Sequence, residues 1–130
     1  MARTFQHSLR VPYADIDKMG IVYYANYFVY FEMARAQMLR DAGIPYGELE
    51  ARGVMLPVVH AECDYKKPAH YDDLLVVNSE VRIDGSRLRV DYVINREDEI
   101  IATGMSEHVC MSDEGRIMKP VDEIREMVDG

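Results

Sequence analysis

The chain has 130 residues, 48% of them hydrophobic, which is enough for a single domain (1–130) around one core and too little for two. A formal net charge of -8 excludes a protein whose main task is to coat nucleic acid, because phosphate binding needs an extensive positive surface. Cys63 and Cys110 are the only cysteines, too few for a disulfide-stapled scaffold and not spaced as a metal pair, so a reducing compartment is expected.

The first seven residues lead straight into alternating sequence without the apolar stretch of an export signal. No later stretch is long and uncharged enough to span a bilayer, so the expected location is cytoplasmic. Over residues 4–13, Phe5, Leu9, Val11 and Tyr13 fall on alternate positions, the pattern of one strand face. Residues 15–25 break that period and carry Gly20, as a loop of unusual backbone shape does. Asn26 is placed to cap a helix over 27–42, and Gly43 with Pro45 stops it. The first turns of that helix (Tyr27, Phe28, Val29, Tyr30, Phe31, Met33, Ala34) are apolar almost all round, so a sheet is expected to wrap it.

A short helix over 45–52 precedes four strand-like runs. The first covers 54–65. In the second, Leu75, Val77, Val81 and Ile83 alternate with polar residues up to the hairpin signal Asp84-Gly85. The third alternates Leu88, Val90, Tyr92 and Ile94, and the turn 96–98 leads into the fourth, 100–111. A meander is expected. After Asp113-Glu114-Gly115, Val121, Ile124 and Val128 recur at helical spacing behind Pro120. One strand, one buried helix and four antiparallel strands make an α+β order with a curved sheet around the helix.

The run Tyr13-Ala14-Asp15-Ile16-Asp17-Lys18-Met19-Gly20-Ile21-Val22-Tyr23-Tyr24-Ala25-Asn26-Tyr27 joins the first strand to the helix. Two acids two residues apart, then Gly-Ile-Val-Tyr, Asn-Tyr and an aromatic helix, resemble the active-site loop of the 4-hydroxybenzoyl-CoA thioesterase family, most nearly the Tol-Pal-associated acyl-CoA thioesterases. The resemblance continues through Phe31-Glu32-Met33-Ala34-Arg35 and 65–73 and ends near Met118-Lys119-Pro120. It implies a hotdog fold with about five strands, a homodimer whose sheets join, often a homotetramer, and hydrolysis of an acyl-CoA to free acid and CoA without metal or redox cofactor. It matches Asp17 to the catalytic aspartate and the backbone N–H of Tyr24 to the donor that polarises the carbonyl. Gly20 would let the chain approach closely. The chain departs from the pattern at Tyr24, where many relatives carry a histidine, and at Lys18-Met19, where they carry a smaller pair.

The chemistry fits that loop on its own terms. Thioester hydrolysis needs a nucleophile or base at the carbonyl carbon and donors aimed at its oxygen, and a loop feeding a helix N-terminus supplies both. Asp15 is the rival carboxylate, read here as a brace of the loop. Glu32, one turn before Arg35, is expected to pair with it or with strand backbone. Tyr23, Asn26, Tyr27 and His60 are candidates to line the acyl pocket, and Lys66, Lys67, Arg87 and Arg89 to meet the phosphates of CoA. His7, His60, His70 and His108 are scattered and show no metal spacing; those inside strands are read as hydrogen-bonded, and both cysteines as small fillers. A hotdog dehydratase would need a histidine before the helix, which is missing. A non-catalytic module that binds an acyl thioester, or a scaffold of an envelope or lipid-synthesis complex, is the alternative of a different class.

Overall fold

Period-two sequence sets the main sheet of the protein, which a computed structural model describes over residues 2–130. In chain order the elements are β1 (Ala2–Arg10), a 3-10 turn (Tyr13–Asp15), α1 (Asn26–Asp41), α2 (Tyr46–Ala51), β2 (Val54–Met55), β3 (Val58–Tyr65), β4 (Leu74–Asp84), β5 (Arg87–Arg96), β6 (Glu99–His108), β7 (Cys110–Ser112), β8 (Ile117–Met118) and α3 (Asp122–Asp129). Five strands form one antiparallel sheet in the order β1-β4-β5-β6-β3. Leu75, Val77 and Val81 of β4 and Leu88, Val90, Tyr92 and Ile94 of β5 are buried on one face, where α1 lies; Glu80 and Arg82 alternate with them on the solvated face. This is the α+β hotdog arrangement that the resemblance implied.

The helix α1 buries Tyr27, Tyr30, Phe31, Ala34, Met38 and Leu39, a stripe at spacings of three and four. It ends where Gly43 adopts φ 82, with the Gly43 N–H on the Arg40 carbonyl and the Ile44 N–H on that of Leu39. Phe31 stacks on Tyr92 at 4.3 Å and 9°. That stack requires a glycine beneath it: a Cβ on Gly104 would meet the Phe31 ring at 2.5 Å and the Glu62 carbonyl oxygen at 2.6 Å.

Several expectations are corrected. The sheet covers only one side of α1, and Phe28, Val29 and Met33 stay exposed on the other. The strand runs do not form a plain meander, because β3 crosses over to pair with β6 and leaves its own far edge open. The expected strand 54–65 is cut at Leu56-Pro57, where proline has no N–H for a ladder. The run 100–111 is cut at Val109, whose N–H turns to the Pro57 carbonyl, and β2, β7 and β8 form a separate small sheet. Glu32 and Arg35 do not pair: among the described residues Arg35 makes no ion pair, and its Nη1 donates to the Tyr92 hydroxyl at 3.1 Å.

That bond starts a buried relay whose direction chemistry dictates. The Leu56 carbonyl can only accept, so His108 Nδ1 carries the proton across 3.0 Å. Nε2 of the neutral ring must then accept from the Ser106 hydroxyl at 2.8 Å, and Ser106 accepts from Tyr92 at 2.7 Å. Burial, with the charge of Arg35 adding to it against the pull of the Leu56 carbonyl, pushes His108 down to about 4 from 6.5. The folded state therefore refuses a proton that the unfolded chain accepts, so this group's stability is intact above pH 6.5 and is lost as the pH falls toward 4. His108→Gln should remove on the order of 3 kcal/mol of the parent's decline in unfolding free energy between pH 7 and pH 4. Denaturant melts of both proteins across that range check this; parallel pH profiles would exclude it.

Candidate active site

The segment between β1 and α1 folds into a small closed turn. After the 3-10 turn, Ile16 bridges Val22, the Asp17 N–H donates to the Ile21 carbonyl at 2.9 Å and the Gly20 N–H to the Asp17 carbonyl at 3.0 Å. Gly20 has φ 80, a left-handed turn that glycine adopts without strain, and no atom of the chain lies within 4 Å of a built Cβ. At the head of this turn Asp17 is half-buried, with Oδ1 accepting from the Met19 N–H at 2.9 Å. Its Oδ2 has no hydrogen-bond partner among the described residues.

Asp15 is committed elsewhere. Its Oδ2 accepts from the Tyr30 hydroxyl at 2.8 Å, and its carbonyl from the Tyr23 N–H at 2.9 Å and the Asn26 side-chain amide at 3.3 Å. Asn26 is therefore not the helix cap expected of it; it is the first residue of α1 and its amide donates backward into the loop. Burial first, and then the Asp15 carboxylate, hold the Tyr30 phenol well above its usual range, so it stays a donor.

The first turn of α1 is tight: Asn26, Tyr27 and Phe28 donate to the carbonyls of Tyr23, Tyr24 and Ala25. The N–H groups of Tyr24 and Ala25 have no acceptor among the described residues, and both sit at the positive end of the helix. The Tyr65 hydroxyl donates to the Tyr24 carbonyl at 3.0 Å, and the Tyr65 ring meets Tyr27 edge-on at 5.1 Å. Tyr23 and Tyr24 lie against each other at 4.8 Å and face solvent. A hydrogen bond with Tyr24 chiefly, and the nearby Asp17 charge to a lesser extent, raise the Tyr23 phenol. The site is open on a single chain, with Tyr24 60% and Met19 77% exposed.

A second loop, 66–73, buttresses the first. The Val22 N–H donates to the Ala69 carbonyl at 2.9 Å, while Val11 exchanges backbone bonds with Asp73 (3.0 Å) and Asp72 (2.9 Å). Arg96 clamps the loop through the Pro68 carbonyl and the Asp73 carboxylate at 2.7 Å. Desolvation pulls the Asp73 carboxyl up, but the His70 N–H and Arg96 together outweigh it and hold it below the usual range.

The four cations singled out for CoA are not brought together within one chain. Lys66 and Lys67 sit at the loop end of the sheet, both bonded through their N–H groups to Ile101. Arg87 and Arg89 lie near the other end of β5, five residues or more from Ile94, or roughly 15–25 Å along a strand. Lys67 pairs with Glu99, Arg87 with Glu107 and Arg89 with Asp91; Lys66 has no ion pair among the described residues. His60 lies on the exposed face of β3, bonded to Glu62 at 2.7 Å, away from the loop. Burial pushes the thiols of Cys63 and Cys110 up, as fits small fillers. Among the described residues no His, Cys, Asp and Glu cluster could hold a metal, and no helix is long and apolar enough to cross a membrane. Sequence reasoning missed the Tyr30, Tyr65 and Arg96 contacts; the only signal was the neighbourhood of Tyr65 and Asp73 in the resembling segment.

Known proteins resemble this chain in sequence and in fold. A family model for the thioesterase-like superfamily matches residues 11–129. The acyl-CoA thioesterase YbgC of Haemophilus influenzae is 33% identical over 119 residues, covering 90% of this chain and 86% of that protein. The 1,4-dihydroxy-2-naphthoyl-CoA hydrolase of Synechococcus elongatus is 30% identical over 122 residues, covering 92% and 90%. A crystal structure of a protein from Aquifex aeolicus superposes with a TM-score of 0.91 at 32% identity, covering 95% of this chain and 98% of the other. A match across nearly the whole chain, in sequence and in fold, places this protein in the thioesterase-like superfamily of hotdog proteins.

Proposed function

We propose that the protein hydrolyses acyl-CoA thioesters, with Asp17 supplying the attacking or activating carboxylate and the Tyr24 N–H polarising the carbonyl. The observation that carries this is an aspartate with one oxygen anchored and one unpartnered, on the same short loop that presents unpaired N–H groups at a helix N-terminus. The names of the thioesterase relatives support the reaction class.

In this reading Asp17 Oδ2 meets the thioester carbon directly, giving a mixed anhydride that water then opens, or takes a proton from a water that attacks. In both routes negative charge builds on the carbonyl oxygen, where the Tyr24 N–H and the helix dipole stabilise it, and CoA leaves as a thiolate. Asp17→Asn keeps the Met19 N–H bond and removes the charge. It should lower kcat at least about 100-fold with an unchanged melting temperature. Released thiol measured over short, long and aromatic acyl-CoAs gives the result; turnover close to the parent's on any of them would refute the role of Asp17. Tyr30→Phe tests the positioning of the loop through Asp15. It should lower kcat about tenfold at constant KM, for a charge-assisted bond worth roughly 1.5–3 kcal/mol, and an unchanged kcat would show that Asp15 needs no such hold.

The open site and the bare side of α1 favour a second copy of the chain as part of the working form. The free edge of β3, with Val58, Val59 and Tyr65 exposed, would pair with its equivalent across a two-fold axis, continuing the sheet and covering Phe28, Val29 and Met33. Light scattering should give at least about twice the mass of one chain, and Val59→Asp combined with Met33→Asp should give one chain with reduced turnover. A parent that runs as a single chain at micromolar concentration and turns over at full rate would remove the need for a partner.

A further inference from the structure

Behind the C-terminal half of α1 lies a cavity of about 250 Å³ that the hydrolytic loop does not reach: Asp17, Gly20, Tyr23 and Tyr24 are absent from its walls. Met38, Leu39, Leu56 and Leu88 give it apolar sides, and Glu32, Arg35, Tyr46 and His108 its polar atoms. At roughly 30 Å³ per water-sized group it holds about eight heavy atoms. Two of the polar residues have donors to spare. Arg35 spends one N–H on Tyr92 and meets no carboxylate within pairing distance among the described residues, so its other N–H groups are uncommitted. The Tyr46 oxygen accepts from the Leu56 N–H at 3.3 Å, which leaves its own proton without an acceptor. His108 offers nothing, since both ring nitrogens are used by Ser106 and Leu56. Glu32 is exposed at the solvent side of the wall.

A half-buried guanidinium without a counter-ion, next to a spare phenolic proton and apolar walls, is the complement of a carboxylate on a short hydrocarbon. We propose that this cavity binds an organic carboxylate of about six carbons or fewer, with Arg35 and Tyr46 donating to the carboxylate and the leucines enclosing the chain. The relay through Tyr92, Ser106 and His108 holds Arg35 in place for that task. Such a carboxylate has two sources: a free acid of the kind thioester hydrolysis releases, or the far end of a dicarboxylic acyl group. The inference goes beyond the proposed hydrolysis and connects to it only through the chemistry of the acid.

Calorimetry on the whole protein with hexanoate and with hexanol reads binding without turnover. Hexanoate should bind at least about tenfold more tightly than hexanol, as for one charge-assisted bond. Arg35→Met should erase that preference. Ala36→Phe, which fills the cavity and leaves the relay intact, should abolish hexanoate binding, and circular dichroism confirms that each variant is folded. Kinetic arms separate the sources: hexanoate that slows hexanoyl-CoA turnover in the parent and not in Arg35→Met marks a free acid. A kcat/KM for hexanedioyl-CoA above that for hexanoyl-CoA, lost in Arg35→Met, marks a dicarboxylic acyl group. Equal binding of hexanoate and hexanol, no hexanoate binding at millimolar concentration, or hexanoate binding unaffected by both substitutions would overturn the site. Absent turnover with hexanoate still bound would instead count against the hydrolase reading alone.

Discussion

Three hydrogen bonds that converge on Asp15 decide the shape of everything around the candidate site. The Tyr30 hydroxyl reaches its carboxylate from the second turn of α1, and the Tyr23 N–H and Asn26 amide reach its carbonyl. A loop joining a strand to a helix would otherwise sample many backbone states, each residue fixed at a cost of about 1–2 kcal/mol. Tying the loop at Asp15 to two points on the helix start sets the angle at which the chain enters α1. It also sets where the N–H groups of Tyr24 and Ala25 point. The two acids of the motif are thus divided by their partners: the Asp15 carboxylate is bonded to the helix through Tyr30, and that of Asp17 only within its own turn, to the Met19 N–H.

How much of this was legible depends on range along the chain. Alternation is a local property, and β4 and β5 stand close to where the pattern of Val77, Val90 and Ile94 put them, whereas β1 ends at Arg10, short of the expected 13, because Pro12 has no N–H for the ladder and Tyr13 turns out to solvent. The Asp84-Gly85 hairpin follows equally directly, with Gly85 at φ 64 and Asp84 opposite Arg87. The pairing of β3 with β6 is set by residues 37 to 50 positions apart, and nothing in the period of residues 58–65 states a partner. Pro57 was the readable warning that a strand could not run unbroken from Val54 to Tyr65. Asn26 shows the opposite failure. Its residue type suits a cap, but its donor amide also reaches the Asp15 carbonyl, whose second lone pair is open beside the Tyr23 N–H, and the tertiary contact prevails.

Side-chain roles at the site were legible only where a motif carried them. Arg35 looked like half of an ion pair with Glu32, because three residues is the right spacing on a helix. On an exposed helix such a pair contributes about 0.2–0.5 kcal/mol. A hydrogen bond from a charged donor to a buried phenol that completes the Tyr92, Ser106 and His108 chain contributes about 1.5–3 kcal/mol. The larger effect wins, and it draws the guanidinium inward and away from Glu32.

The stack of Phe31 on Tyr92 couples the two ends of α1. Toward the N-terminus, Tyr27 and Tyr65 pack edge-on and Tyr65 holds the Tyr24 carbonyl; toward the C-terminus, the Tyr92 hydroxyl holds Arg35. Gly104 lets the Phe31 ring sit directly on the β6 backbone, so the helix cannot shift along the sheet without moving that ring off its seat. A rigid helix set on one aromatic contact keeps the amide donors at its start and the guanidinium further along at a fixed separation, roughly 16 Å for eleven residues at 1.5 Å each. The flank of α1 away from the sheet carries Phe28, Val29 and Met33 between those two points, so whatever covers that flank closes over both ends at once. The helix that begins the candidate active site is therefore also the element through which a covering surface would shape it.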